Sequence, residues 1–189
     1  DAMLEIVNDI LDLSKIEAGR MEVFLEPVDL AALARDSATL VKTLAAKHSN
    51  AFVVEIAPGI VSVPTDHTKQ KQICLHLLSN ATKFTKSGTV TMTIERAGRQ
   101  LKVAVQDTGI GLTEEQMGRL FQAFSQADSS TTRRFGGTGL GLAISRSFAR
   151  TLGGDLSVTS TPGEGSCFLL TIVDGDAGAC GVVELALIH

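Results

Sequence analysis

The stretch "RRFGGTGLGLAIS", Arg133 to Ser145, sets Gly136, Gly137, Gly139 and Gly141 at the mouth of an apolar, helix-like run. Glycines in that place let backbone N–H groups and a helix N-terminus approach an anion, and phosphate is the usual one. A Walker-type loop would carry Gly-Lys-Ser/Thr here, whereas this helix opens on Gly-Leu-Ala. Whatever neutralises a bound phosphate must therefore come from elsewhere in the chain. A glycine-rich turn alone is a weak signal, so its neighbours have to be read with it.

Downstream, a helix is expected from about Leu140 to Leu152, burying Ile144, Phe148 and Leu152. Two strands, "DLSVTS" and "SCFLLTIV", then flank the turn "TPGEG". The tail "DGDAGACGVVELALIH" reads either as an extra strand or as a linker to a following domain. Upstream, residues Ser125 to Gly137 are polar and end on glycine, which predicts a mobile loop. Before that loop, Thr113 with Gln116 three residues on forms a capping-box pattern and predicts a short helix.

The earlier half alternates in the same way. "TVTMTIE" and "LKVAVQD" have period-two apolar faces, and the spacer "RAGR" suits a hairpin. A long helix runs from about Asp66 to Phe84, preceded by the strand "AFVVEIAP". "MEVFLEPVDL" looks like a short strand leading into a helix that Asp29 caps, with Leu30, Leu33, Ser37, Leu40 and Leu44 on its buried face. The first segment, Asp1 to about Gly19, carries two apolar stripes, Met3, Ile6, Ile10 and Leu13 beside Leu4, Val7 and Leu11. A face that wide expects several partners, as in a four-helix bundle, and suggests half of a helical hairpin completed by other chains. Three long helices and some five strands in mixed order predict an α/β two-layer sandwich, a mostly antiparallel sheet covered on one face by helices.

Composition narrows the classes. With 189 residues the chain has room for one domain and a short appendage. Its net charge of −4 argues against a nucleic-acid partner. No apolar run is long enough to span a bilayer, and the start lacks the basic head of a signal peptide. Cys74, Cys167 and Cys180 are scattered, which fits buried thiols in a reduced, cytoplasmic setting. The opening, mid-pattern and without an initiator methionine, reads as a piece of a longer protein.

Four islands carry the chemistry. In "ICLHLLSNATKF", Ile73, Leu77, Ala81 and Phe84 share a buried arc, while His76, Asn80 and Lys83 line one edge of it. In "VQDTGIG", Asp107 ends an alternating strand at a sheet edge, and Gly109 and Gly111 let the chain turn close to a flat ligand. "LFQAF" supplies Phe121 and Phe124, either core residues or anchors for the base of the loop. The fourth island is the opening stretch. Each has a bland reading: a solvated helix margin, a plain strand-to-loop turn, ordinary core, an ordinary turn.

In this order and on these elements, the islands resemble the N box, the two glycine boxes and the F box of the histidine-kinase catalytic domain. That domain belongs to the Bergerat-fold ATPase superfamily, which also includes DNA gyrase and MutL. The likeness runs from about Val28 to Val173. The opening "IVNDILDLSKIEAGRMEVFLEPVDL" also resembles a second dimerisation helix and its link to the catalytic domain, and "DSSTTRRFGGTGLGLAIS" is similar to hybrid kinases of the family. The implied division is residues 1–20 dimerisation helix, 21–27 linker strand, 28–173 catalytic domain and 174–189 tail or linker.

The resemblance implies ATP and Mg²⁺ as ligands. It makes Asn80 the metal ligand, sufficient because Mg²⁺ keeps most of its shell as water and phosphate oxygen. Lys83 would meet the phosphates as a point charge. Asp107 would accept from the exocyclic amine of adenine, with Phe84 and Ile110 as ring walls. Gly109, Gly111, Gly137, Thr138, Gly139, Leu140 and Gly141 would cradle the nucleotide, and Arg133 or Arg134 would close over the γ-phosphate from a lid. The implied partners are the protein's own phosphoacceptor hairpin, a second copy in a homodimer, and a response-regulator receiver domain. The domain is expected in the cytoplasm, with the parent's membrane anchoring left open.

Two positions depart from the pattern. Many histidine kinases have a second asparagine where this chain has His76, and gyrase-type ATPases have a glutamate there; a charged imidazole would oppose Mg²⁺. Gln126 stands where many relatives carry an arginine. No acceptor motif surrounds His48, His67, His76 or His189, so the chain is not expected to label itself. Three readings stay open: phosphoryl transfer to a histidine elsewhere, a nucleotide-sensing module acting by conformational change, and gyrase-like hydrolysis.

Overall fold

The computed structural model describes residues 2–60, 62–124 and 139–173. Helix α1, Ala2–Glu17, is closed by Gly19 at φ +65°. The Gly19 and Arg20 N–H groups return to the Ile16 and Lys15 carbonyls at 3.1 and 2.9 Å, a Schellman ending that favours glycine. Strand β1, Glu26–Val28, then gives way to α2, Leu30–Lys47, where Asp29 Oδ1 accepts from the Ala32 N–H at 3.0 Å. Next come β2 (Ala51–Ile56), β3 (Val63–Thr65), α3 (His67–Lys83), β4 (Thr89–Ala97), β5 (Gln100–Asp107), α4 (Glu114–Arg119), α5 (Gly141–Thr151), β6 (Asp155–Thr161) and β7 (Gly165–Val173).

The main sheet has the order β2-β4-β5-β7-β6, with β2 and β4 parallel and every other pair antiparallel. The period-two residues meet one core: Val90, Met92 and Ile94 from β4, Leu101, Val103 and Val105 from β5, all buried. Ile73 and Leu77 of α3 and Ile144 and Phe148 of α5 close over them. Each such side chain contributes roughly 1.5–3 kcal/mol of burial free energy before the entropy of ordering is set against it. This is the two-layer α/β sandwich expected.

Several local expectations need correction. On α2 the buried stripe runs Leu30, Leu33, Ser37, Val41 and Ala45, while Leu40 stays 59 % exposed and Leu44 is half-buried. At about 100° per residue, Val41 lies about 20° from the line of Leu30 and Leu40 about 80°, so the wheel had drifted past Leu40. Residues 21–25 form no strand; pairing begins at Glu26, whose partner strand β3 had no sequence signal of its own. The Cys74 thiol is buried and pushed up to about 12 by burial, and half-buried Cys167 is raised for the same reason. Both are inert thiols at neutral pH. No helix among the described residues is long and apolar enough to cross a membrane.

On α1 the apolar stripes face outward: Met3, Leu4, Ile6, Val7, Ile10 and Leu11 are all exposed. Only Leu13 and Ile16, near its C-terminal end, pack against the core.

Candidate functional site

Helix α3 organises the site. Asp66 Oδ1 caps its start by accepting from the Lys69 N–H at 3.1 Å, so its phase is set from the first turn. Ile73, Leu77 and Ala81 point into the core, which leaves His76, Asn80 and Lys83 half-buried along the adjoining edge. The helix ends at Phe84, whose N–H donates to the Asn80 carbonyl at 3.1 Å and whose own carbonyl accepts from the Ile110 N–H at 3.2 Å.

That last bond ties α3 to the turn after β5. Asp107 ends the middle strand of the sheet, not an edge, and is only 5 % exposed. Burial raises its pKa above the usual carboxylate range, partly offset by the Gly109 and Ser166 backbone N–H groups. The Gly109 N–H reaches Asp107 Oδ1 at 2.9 Å, while Ser166 stands opposite Asp107 in the β5–β7 register. A Cβ on Gly109 would strike the Phe84 carbonyl, and one on Gly111, at φ +68°, would strike the Thr161 carbonyl. Further bonds from Gly163 N–H to the Ile110 carbonyl (2.7 Å) and from Leu112 N–H to Ser160 Oγ (2.8 Å) fasten the turn. Ile110 is thus held out on a fastened loop with 57 % of its surface exposed, where a flat apolar ligand can cover it.

Helix α5 supplies the third part. Helices α2, α3 and α4 are capped by the side chains of Asp29, Asp66 and Thr113, the last in the expected capping box with Gln116. By contrast α5 begins at Leu140, a residue with no side-chain acceptor, directly after Gly139 at φ +71°. No side chain among the described residues caps its first turn, an arrangement that suits an anion. The Gly139 carbonyl accepts from the Phe124 N–H at 3.1 Å, so the two ends of segment 125–138 are held together. Phe121 is half-buried under the Arg146 guanidinium at 4.8 Å, whereas the Phe124 ring is exposed; only the first of the pair anchors by its side chain. Arg133, Arg134, Gly137, Thr138 and Gln126 lie outside the described residues.

His76 joins α3 to α5. Its Nδ1 lies 3.0 Å from Ser145 Oγ, and a Cβ on Gly141 would sit 3.5 Å from the ring. Burial depresses its pKa first and foremost; the Asp9 and Glu5 carboxylates of α1, the Gly141 backbone and Asp12 oppose that without reversing it. The ring is therefore neutral at neutral pH, and the opposition to Mg²⁺ expected of a charged imidazole does not arise there.

Thus Phe84, Asp107, Gly109, Ile110 and Gly111 form one cluster, His76, Leu140 and Gly141 another, and the edge of α3 carrying Asn80 and Lys83 runs between them. No hydrogen bond or ion pair among the described residues occupies the Asn80 amide or the Lys83 ammonium. Among those residues no group of three His, Cys, Asp or Glu could hold a metal by itself. A neutral amide beside an ammonium and an uncapped helix suits a hard cation that arrives with its own phosphate oxygens. Ser145, Ser166 and Asp9 escaped the sequence reading; for Ser166 only strand register could have shown it.

Residues 65–175 match the family of histidine kinase-, DNA gyrase B- and HSP90-like ATPases. Among curated proteins, the sensor histidine kinase GacS of Pseudomonas protegens is 42 % identical over 91 % of this chain and 19 % of its own length. The signal transduction histidine-protein kinase BarA of Escherichia coli is 41 % identical over 88 % of this chain and 19 % of its own. The chain spans about a fifth of the length of these relatives. Among solved structures, full-length ShkA in complex with AMPPNP superposes with a TM-score of 0.82 at 30 % identity, covering 94 % of this chain and 37 % of that one. The catalytic domain of histidine kinase ThkA gives 0.68 at 26 %, over 82 % and 97 %.

Proposed function

The chain belongs to the family of histidine kinase-, DNA gyrase B- and HSP90-like ATPases, and from that premise we propose that it is the ATP-binding catalytic domain of a sensor histidine kinase, of hybrid type. In this reading it transfers the γ-phosphoryl group of ATP to a histidine on dimerisation helices that lie largely outside residues 1–189, with α1 as the second of those helices. The observation that carries it is the single edge of α3, on which an amide and an ammonium with no hydrogen bond or ion pair among the described residues stand between the Asp107–Gly111 turn and a helix start that no described side chain caps.

Asp107 accepts from the 6-amino group of adenine, where guanine presents a carbonyl, so the buried carboxylate selects the base. Ile110 and Phe84 flank the ring. The N–H groups at the start of α5 and the Lys83 ammonium hold the phosphates, and Asn80 would hold Mg²⁺, which when bound would neutralise phosphate charge. Arg133 or Arg134 closes over the γ-phosphate. Phosphoryl transfer asks little covalent work of a protein, so positioning and electrostatics are the whole contribution of these groups. The partners are the acceptor hairpin, a second copy of the parent protein, and a receiver domain that takes the phosphoryl group onward.

The test has two stages. Calorimetric titration of the chain with an unhydrolysable ATP analogue should show one site that Mg²⁺ strengthens; no heat with either form refutes nucleotide binding. Adding γ-labelled ATP and a separately made acceptor hairpin should then label the hairpin's histidine. Binding without label would favour the nucleotide-sensing reading, and steady phosphate release from the chain alone would favour gyrase-like hydrolysis.

A further inference from the structure

The segment that follows α1 is fastened to the catalytic body by two buried, oppositely charged side chains at the start of α3. Asp66 uses both oxygens: Oδ1 caps the helix at the Lys69 N–H, and Oδ2 accepts from the Phe24 N–H at 3.0 Å, 42 residues away in sequence. Lys69 turns back to Asp66 Oδ2 at 3.1 Å, donates to the Glu22 carbonyl at 2.5 Å, and holds its ammonium 5.5 Å from the centre of the Phe148 ring on α5. Both side chains are 10 % exposed or less. The fastening continues as β1 pairs with β3, Glu26 opposite Thr65 and Val28 opposite Val63, with both valines buried. Met21 and Val23 pack against the core beside it.

A buried ion pair is a poor source of stability, because desolvation consumes most of the attraction, but it specifies geometry. Here the geometry specified is backbone: one charge accepts from the segment and the other donates to it. The contrast with α1 is sharp. Before Gly19 the helix meets the body through Leu13 and Ile16, the buried Asp9, whose carboxylate acts on His76, and the bond from Gln72 Nε2 to Asp12 Oδ2 at 3.1 Å, while Met3, Leu4, Ile6, Val7, Ile10 and Leu11 stay exposed and no backbone pairing ties it down. Between the two regimes lie only Ala18, Gly19 and Arg20, and no atom of the described residues stands within 4 Å of the place where a Cβ on Gly19 would be.

We propose that Asp66 and Lys69 are positioning residues that make residues 22–28 part of the catalytic body, so that α1 can reorient against the nucleotide site only about Ala18–Arg20. The segment is a fixed bracket, and the pivot is three residues long. For catalysis, which rests on the kinase reading above, this limits the arc along which the γ-phosphate can meet an acceptor histidine on the helices that α1 belongs to.

Hydrogen exchange on the 189-residue chain tests the bracket without reference to activity. The double variant Asp66→Asn with Lys69→Met keeps an oxygen to cap α3 and leaves no buried charge unpaired, so it should fold. Its Phe24 amide should exchange at least tenfold faster than in the wild type, with β4 and β5 unchanged, while Lys71→Met on the same helix changes neither. Phe24 exchange equal to the wild type would overturn the proposal, and so would an equal rise throughout β4 and β5, which would mean general destabilisation. Asp66→Asn alone, which keeps the α3 cap and the Lys69 bond to the Glu22 carbonyl, should show the same local rise at Phe24 and guards against a folding failure of the double variant. In the parent protein the double variant should leave KM for ATP within twofold and slow labelling of the protein's own histidine at least fivefold; an unchanged rate would overturn the positioning role. If the wild-type parent labels no histidine, the kinase reading fails and the exchange result still decides the bracket.

Discussion

Replacing Asp107 by asparagine should separate recognition from stability. The carboxylate is nearly buried at the end of the middle strand, and burial raises its pKa. With the folded value above the unfolded 3.8, its contribution to stability is present below that unfolded value and is lost as pH rises through the folded one. At neutral pH the folded chain thus carries a charge it would rather not hold. Asparagine removes that charge and keeps an oxygen for the Gly109 N–H, at the risk of one lost bond from Ser166. These effects oppose each other, so apo stability should stay within about 1 kcal/mol of the wild type. Nucleotide binding should not stay. An amide nitrogen would face the adenine amine, donor against donor, and a charged hydrogen bond worth about 1.5–3 kcal/mol would go, which is roughly 10- to 150-fold in Kd. Relative affinity for the guanine nucleotide should rise, since the amide can donate to the ring carbonyl there. Calorimetric titration with adenine and guanine nucleotides, paired with thermal melts of the apo chain, measures both. An adenine affinity within threefold of the wild type would refute the assignment of Asp107 to the exocyclic amine.

Other substitutions probe the remaining parts. Asn80→Ala should abolish the gain in ATP-analogue affinity on adding Mg²⁺, while chelating the metal should weaken wild-type binding about tenfold or more; titrations with and without chelator show whether the two effects coincide. Wild-type stability should fall as pH drops below the unfolded His76 value of 6.5, because the depressed folded pKa makes the unfolded chain bind the proton first; His76→Asn should flatten that slope in denaturant titrations between pH 5 and 8. Gly111→Ala forces both a left-handed backbone and a collision with the Thr161 carbonyl, and should cost about 2 kcal/mol or more, whereas Gly98→Ala, with an equally positive φ but open space, should cost about 1. Equal losses in urea midpoints for the two would show that the close approach at Gly111 contributes nothing.

Much of this was legible in the chain because its signals are local. Asp29, Asp66 and Thr113 announce helix starts through their own side chains, and "TVTMTIE" and "LKVAVQD" show their buried faces by alternation alone. Glycine at 109, 111 and 139 marks where backbone must bend or approach, and the α3 edge follows from the helical period. Such features need only neighbours within about four residues, and they suffice for the two-layer architecture, while the candidate site between α3, the β5 turn and α5 rests also on the order of the four islands and the resemblance they carry.

Tertiary contact decided the rest. The drift of the α2 stripe from Leu40 to Val41 depends on the face the sheet presents. The β1–β3 pair, three residues on each side, is too short to have a period and exists because two distant segments meet. Asp107 owes its burial to being the end of a middle strand, with Ser166 brought opposite by register, so its raised pKa is a property of sheet order. His76 turned to Ser145 and the α1 carboxylates, and Asp66 and Lys69 reached Phe24 and Glu22, for the same reason: hydrogen-bond partners 40 to 70 residues apart carry no mark of each other in sequence, and only the packed chain selects among them.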